Sequence, residues 1–164
     1  MRVSLDIDGL LTPFLGAVEL ESPVWPEFIV QRLAEPLRFG ARRLISELDH
    51  MGCDVWIYTT STRSKSYVQL WLRMYGIRVS GVINADVHVR EVQCLSFTRI
   101  PSKYPPLFGI QLHVDDSPGL LIEGKENGFD VIIVSATDGT WVEKVISEVS
   151  LRLPAGLAGK SHLR

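Results

Sequence analysis

Cysteine is scarce in this chain. The two present, Cys53 and Cys94, stand at no metal-type spacing, and nothing around them marks a disulfide scaffold. They read as reduced thiols of a cytoplasmic protein. An excess of one charge is missing too: 17 Lys and Arg stand against 19 Asp and Glu, for a formal net charge of -2. No global basic field is therefore available to hold nucleic acid or an anionic membrane, although Arg38, Arg42 and Arg43 gather locally. No stretch approaches the roughly 18 continuous apolar residues that span a bilayer. The start carries Asp6 and Asp8 where a signal peptide needs an apolar centre. No Gly-x-Gly-x-x-Gly follows the first apolar run, so a dinucleotide fingerprint is excluded. Internal repeats and low-complexity tracts are absent as well.

What remains is an ordinary globular composition of 164 residues, 46% hydrophobic and 22% charged. That length predicts one domain over residues 1–153, with a flexible tail at 154–164. Short runs rich in β-branched residues recur at 3–7, 55–58, 79–83, 110–114 and 131–134, each bounded by polar or Gly/Pro punctuation. Helical periods lie between them at 39–51, 64–75, 118–127 and 140–151, with stop signals at Gly76 and Gly128. Strands alternating with helices predict right-handed crossovers and a three-layer α/β/α, Rossmann-like, mostly parallel sheet. The segment 11–36 carries Pro13, Pro23, Pro26 and Pro36 and shows no helical period before Phe28, so it reads as a loop or small flap. Trp25 within it is either packing or a wall over a site.

Chemistry in an open parallel sheet belongs at the carboxyl ends of the strands, and polar residues collect there. The first run ends in Asp6-Ile7-Asp8-Gly9, the second in Thr59-Thr60-Ser61, and the fourth in Asp115-Asp116-Ser117-Pro118; Lys103 lies just ahead of the fourth. Two carboxylates about 4 Å apart repel by about 4 kcal/mol at an effective dielectric near 20. A divalent cation removes that cost and leaves one carboxylate free as a nucleophile. Each element also has a plain reading: turn residues for the acids, helix caps for Thr59 to Ser61 and for Asp116 to Pro118, and a solvated side chain for Lys103. Turns alone do not explain all of them on one sheet edge.

In that order the residues resemble the haloacid dehalogenase-like hydrolase superfamily. Its motifs match Leu5-Asp6-Ile7-Asp8-Gly9, Val55-Trp56-Ile57-Tyr58-Thr59, Lys103, and Leu112-His113-Val114-Asp115-Asp116. The resemblance implies a phosphatase with Asp6 as nucleophile, Asp8 as acid and base, and Thr59, beside Thr60, binding phosphate. It further implies that Lys103 neutralises charge on the nucleophile and the phosphoryl oxygens. Mg²⁺ would be held by Asp6, the Asp8 carbonyl, Asp115 and Asp116. The chain departs from the family pattern at Leu10, where Thr or Val is usual, and at Leu120, where a further acid is usual. Glu123 is a candidate to support the metal from outside its shell.

About fifty residues separate Asp8 from Thr59 and about forty separate Thr59 from Lys103, which leaves no room for a large cap domain. Capless members act on macromolecular phosphoesters, or on small ones when a neighbouring subunit covers the site, so the implied partners are a phosphorylated substrate and a second copy of the chain. His88 and Arg90 read as a solvated loop or as substrate contacts, His113 as a hydrogen-bonded core histidine, and Arg63 and Lys65 as extra positive charge by the phosphate site. Two rivals stand beside the phosphatase: a catalytically silent relative used for binding, and a receiver-type phosphoacceptor domain, whose acceptor aspartate would follow the third strand.

Overall fold

The computed structural model describes residues 1–14, 18–97 and 99–154. The predicted tail lies outside them apart from Pro154, as do residues 15–17 of the predicted flap. The elements run β1 (Arg2–Leu5), α1 (Glu27–Leu33), α2 (Ala41–His50), β2 (Asp54–Tyr58), α3 (Lys65–Met74), β3 (Gly81–Ile83) and α4 (Ala85–Val92). A 3-10 turn (Pro105–Phe108), β4 (Leu112–Asp115), α5 (Gly119–Asn127), β5 (Asp130–Ile133) and α6 (Trp141–Arg152) follow. All strand pairs are parallel, in the order β3-β2-β1-β4-β5. The three-layer Rossmann-like reading holds, without a large cap.

A parallel sheet must be covered on both faces, and its strands show it: Val3, Ser4 and Leu5 of β1 and all of β4 are buried, not every second residue. Right-handed crossovers put α2 and α3 on one face and α4 and α5 on the other, and α6 packs back against α2. On α3, Val68, Trp71, Leu72 and Met74 are buried, while Leu70 faces outward and is exposed. Ser64 starts this helix by accepting the Tyr67 N–H. Gly128 ends α5 at φ +71, a conformation any side chain would strain. Among the described residues no helix is long and apolar enough to cross a membrane.

Two segments differ from the sequence reading. The solvated loop expected around His88 and Arg90 is α4, capped by Asn84, whose side chain accepts the Val87 N–H. Val87 and Val92 turn inward with His88, while Arg90 is exposed. The flap contains a short helix, α1, which packs against α3. Val24 and Trp25 donate their backbone N–H groups to the Met74 carbonyl, at the end of α3 remote from Thr59. A ten-residue helix is about 15 Å long, so Trp25, which is exposed, stands away from the acids and is no wall over them.

Candidate active site at the carboxyl edge of the sheet

Strand order reverses between β1 and β4, and there the crossovers diverge and open a crevice above the strand ends. The acids stand on those two strands. Asp6 continues β1 by donating its N–H to the Val114 carbonyl, which seats it beside Asp115. The chain then turns sharply, with Leu11 and Thr12 both bonding back to the Ile7 carbonyl. Gly9 is required in this turn: its φ is +84, and a Cβ there would lie 2.0 Å from Asp116 Oδ2 and 2.7 Å from the Phe14 ring.

Lys103 joins the two strands. Its Nζ lies 2.7 Å from Asp6 Oδ1 and 2.5 Å from Asp115 Oδ2, and all three side chains are buried. His113 completes the cluster from beneath, with Nε2 3.0 Å from Asp115 Oδ2 and Nδ1 2.8 Å from Ser4 Oγ. Burial pushes His113 down to about 4, with the nearby ammonium adding to the effect, so this ring is the neutral core histidine the sequence suggested. The acids are split by their surroundings. Burial raises Asp6 to about 6, with Asp115 adding to the rise and Lys103 opposing it. Asp115 is also desolvated, yet His113 and Lys103 together hold it well below the ordinary carboxylate range.

Asp6, Asp115 and Asp116 each offer an oxygen within 4.8 Å of the others. Asp6 Oδ1 is buried, with the Lys103 ammonium 2.7 Å away. Burial and Asp115 raise Asp116 as well. Three hard carboxylates with oxygens converging within 4.8 Å fit Mg²⁺. The apo site therefore has a pH signature. The folded protein keeps the Asp6 proton through a window, from 3.8 to about 6, in which the unfolded chain loses it, so this group's contribution to stability falls as pH rises. His113 has the opposite slope, because the unfolded chain takes up its proton first. Comparing variants isolates Asp6. Without metal, Asp6→Asn should gain stability over wild type, and gain more at about pH 7 than at about pH 4.5. Urea unfolding at the two pH values checks this; an equal gain at both would mean an unperturbed Asp6.

Asp8 sits apart from this cluster and is half-exposed. Arg63 donates Nη1 to Asp8 Oδ2 and Nη2 to Asp8 Oδ1, both at 2.8 Å, and holds Glu35 through Nε and Nη2 at 2.7 and 2.6 Å. These charge-assisted bonds raise Arg63 above its ordinary value, Glu35 contributing most. Glu35 is the member that sequence reading misses: it comes from the flap, and its position gives no motif. Thr59, directly after β2, is fully buried, its Oγ1 accepting the Ser61 N–H at 3.1 Å, and Thr60 beside it is exposed. Lys65 is exposed on the first turn of α3. Glu123 accepts from Ser102 N and Oγ, next to Lys103 in the chain.

Hollows of about 580 Å³ lie along α2, one lined by Arg42, Asp49 and Arg78, and none of Asp6, Asp8, Asp115 and Asp116 lines them. Chemistry points to the strand edge, where those aspartates stand. No protein-family model matches the chain, and no curated protein matches it. Among solved structures it is similar to a predicted HAD-like family hydrolase from Porphyromonas gingivalis, with 12% identity over 93% of this chain and 98% of that one and a TM-score of 0.45.

Proposed function

We propose that the chain is a Mg²⁺-dependent phosphoester hydrolase working through an aspartyl-phosphate on Asp6. The observation that carries this reading is the buried Asp6 carboxylate with the Lys103 ammonium at 2.7 Å and two further acids within reach of one cation. Phosphoryl transfer asks a protein for little beyond a placed nucleophile and positive charge around the equatorial oxygens. Bound Mg²⁺ would supply part of that charge, held by Asp6, Asp115, Asp116 and the Asp8 carbonyl.

In the first step an Asp6 oxygen attacks phosphorus, the bond from phosphorus to the leaving oxygen breaks, and Asp8 gives that oxygen a proton. In the second, Asp8 takes a proton from water as the water oxygen attacks phosphorus, and the bond from phosphorus to Asp6 breaks to release inorganic phosphate. Lys103 stabilises both transition states, and the Thr59 hydroxyl has its proton free to donate. The substrate is a phosphorylated small molecule or macromolecule, and without a large cap the site admits either. A cytoplasmic setting suits the free thiols Cys53 and Cys94.

One observation favours a silent binding protein: both Asp8 oxygens are occupied by Arg63, so proton transfer requires that pair to open. A receiver domain is disfavoured, since β3 is followed by the cap residue Asn84 and the strand order is not the 2-1-3-4-5 of flavodoxin-like folds. Hydrolysis of an aryl phosphate should require Mg²⁺ and drop at least about 100-fold in chelator. A folded, Mg²⁺-binding protein that hydrolyses no phosphorylated metabolite, nucleotide or phosphopeptide would establish the silent alternative.

A further inference from the structure

Lys103 stands on neither helix nor strand, between the end of α4 and the 3-10 turn, yet its side chain is only 3% exposed and meets two acids from different strands. Something else must hold the backbone on each side of it. Two side chains to which the motifs give no role do this. His88 on α4 places Nε2 3.1 Å from the Pro101 carbonyl oxygen. Tyr58, the last residue of β2, accepts the Tyr104 N–H on its phenol oxygen at 2.7 Å. The two also meet each other, with Tyr58 Oη 2.6 Å from His88 Nδ1.

The protons in this chain have one consistent arrangement. A carbonyl can only accept, so His88 Nε2 carries a hydrogen. Burial lowers His88 below its ordinary value, which favours the neutral ring and leaves Nδ1 as an acceptor. The Tyr58 hydroxyl therefore donates to Nδ1 and keeps a lone pair for Tyr104. The ring of Tyr58 also lies beside the lysine, with Nζ 6.0 Å from its centroid, and is wedged between Phe108 and His113. Glu123 adds a third tie through Ser102, but on the exposed side, where solvent competes.

The geometry assigns Tyr58 and His88 as positioning residues for Lys103: they grip the chain two residues before it and one residue after it, holding the ammonium between Asp6 and Asp115. The assignment rests on the phosphatase reading for its effect on rate, and on the hydrogen-bond chain alone for its effect on the loop. Both rings belong to a packed region, so the test must separate positioning from mere stability.

Tyr58→Phe keeps the ring and removes the hydroxyl; His88→Gln retains a donor for Pro101, and His88→Ala retains none. With an aryl phosphate and saturating Mg²⁺, Tyr58→Phe and His88→Ala should each lower kcat about tenfold with KM within about twofold, and His88→Gln should recover part of the loss. In a Lys103→Met background Tyr58→Phe should change the residual rate by less than about twofold, because its only route to the chemistry is gone. Full rates in Tyr58→Phe and His88→Ala, or losses that add to that of Lys103→Met, would overturn the assignment while leaving the phosphatase reading intact. If wild type hydrolyses no phosphoester, that reading fails, and the assignment is decided without turnover. Nitrogen NMR should find the His88 proton on Nε2, and amide exchange at Ser102 to Tyr104 should quicken at least about tenfold in Tyr58→Phe. A proton on Nδ1, or unchanged exchange, would overturn it.

Discussion

Asp6→Asn should remove turnover, lowering kcat at least about 10⁴-fold, while the protein stays folded. Asparagine matches aspartate in shape and still offers Lys103 an acceptor oxygen, so the buried cluster keeps a partner for its ammonium. What it lacks is an anionic oxygen able to attack phosphorus. Two of the neighbouring acids are already committed. Both Asp115 oxygens are engaged, Oδ2 by Lys103 and His113 and Oδ1 by the Ser117 N–H, and both Asp8 oxygens are held by Arg63. Initial rates with an aryl phosphate and Mg²⁺, together with mass spectrometry of acid-quenched protein, check the expectation. Wild type should carry a phosphoryl adduct on Asp6 and the variant none. A variant that kept more than about 1% of wild-type turnover would place the nucleophile elsewhere.

The parts of this molecule that a sequence reader can see are those written by local rules. Buried parallel strands are short continuous apolar runs, so 55–58 was legible almost residue for residue and β1 and β4 were legible to within two residues. The acids ending β1 and β4 were visible as polar residues in places where an apolar run should meet a turn. That those two strands are neighbours at the reversal of strand order is a tertiary fact, and it turns Asp6 and the Asp115-Asp116 pair into a cluster. α4 was lost because eight residues give barely two helical periods and because His88 stands where an apolar residue would have completed the pattern. Asn84 was the available signal, a cap residue straight after a strand. The Arg63 clamp was half visible as a cation near the hydroxyls that follow β2. Its other half is Glu35, 28 residues earlier on the far side of α2 and β2, and no periodicity or motif joins the two.

Lys103→Met should be the most damaging single change in the cluster for stability, and its cost should depend on metal. Methionine is long enough to fill the channel without a cavity, so what is lost is the charge. Asp6 and Asp115 then face each other buried and without their cation, and breaking a buried pair from one side costs about 3–5 kcal/mol. For a domain of this size that corresponds to a fall in Tm of roughly 10 °C. On the proposed reading Mg²⁺ would draw on the same two carboxylates and Asp116, so it should restore part of the loss, and stabilise the variant by more degrees than it stabilises wild type. Turnover should not return with stability: the equatorial oxygens would still lack the ammonium, and kcat should stay about 10²- to 10³-fold down at saturating Mg²⁺. Lys103→Arg keeps the charge but puts a larger planar fork into a site already closed to solvent, so it should fold better than Lys103→Met and remain impaired in rate. Thermal melts with and without Mg²⁺, paired with initial rates, separate the two roles. If Lys103→Met melted as wild type does without metal, the repulsion between Asp6 and Asp115 would have to be relieved by protonation of Asp6, and its melting point would then drop as pH rises through about 6 and above.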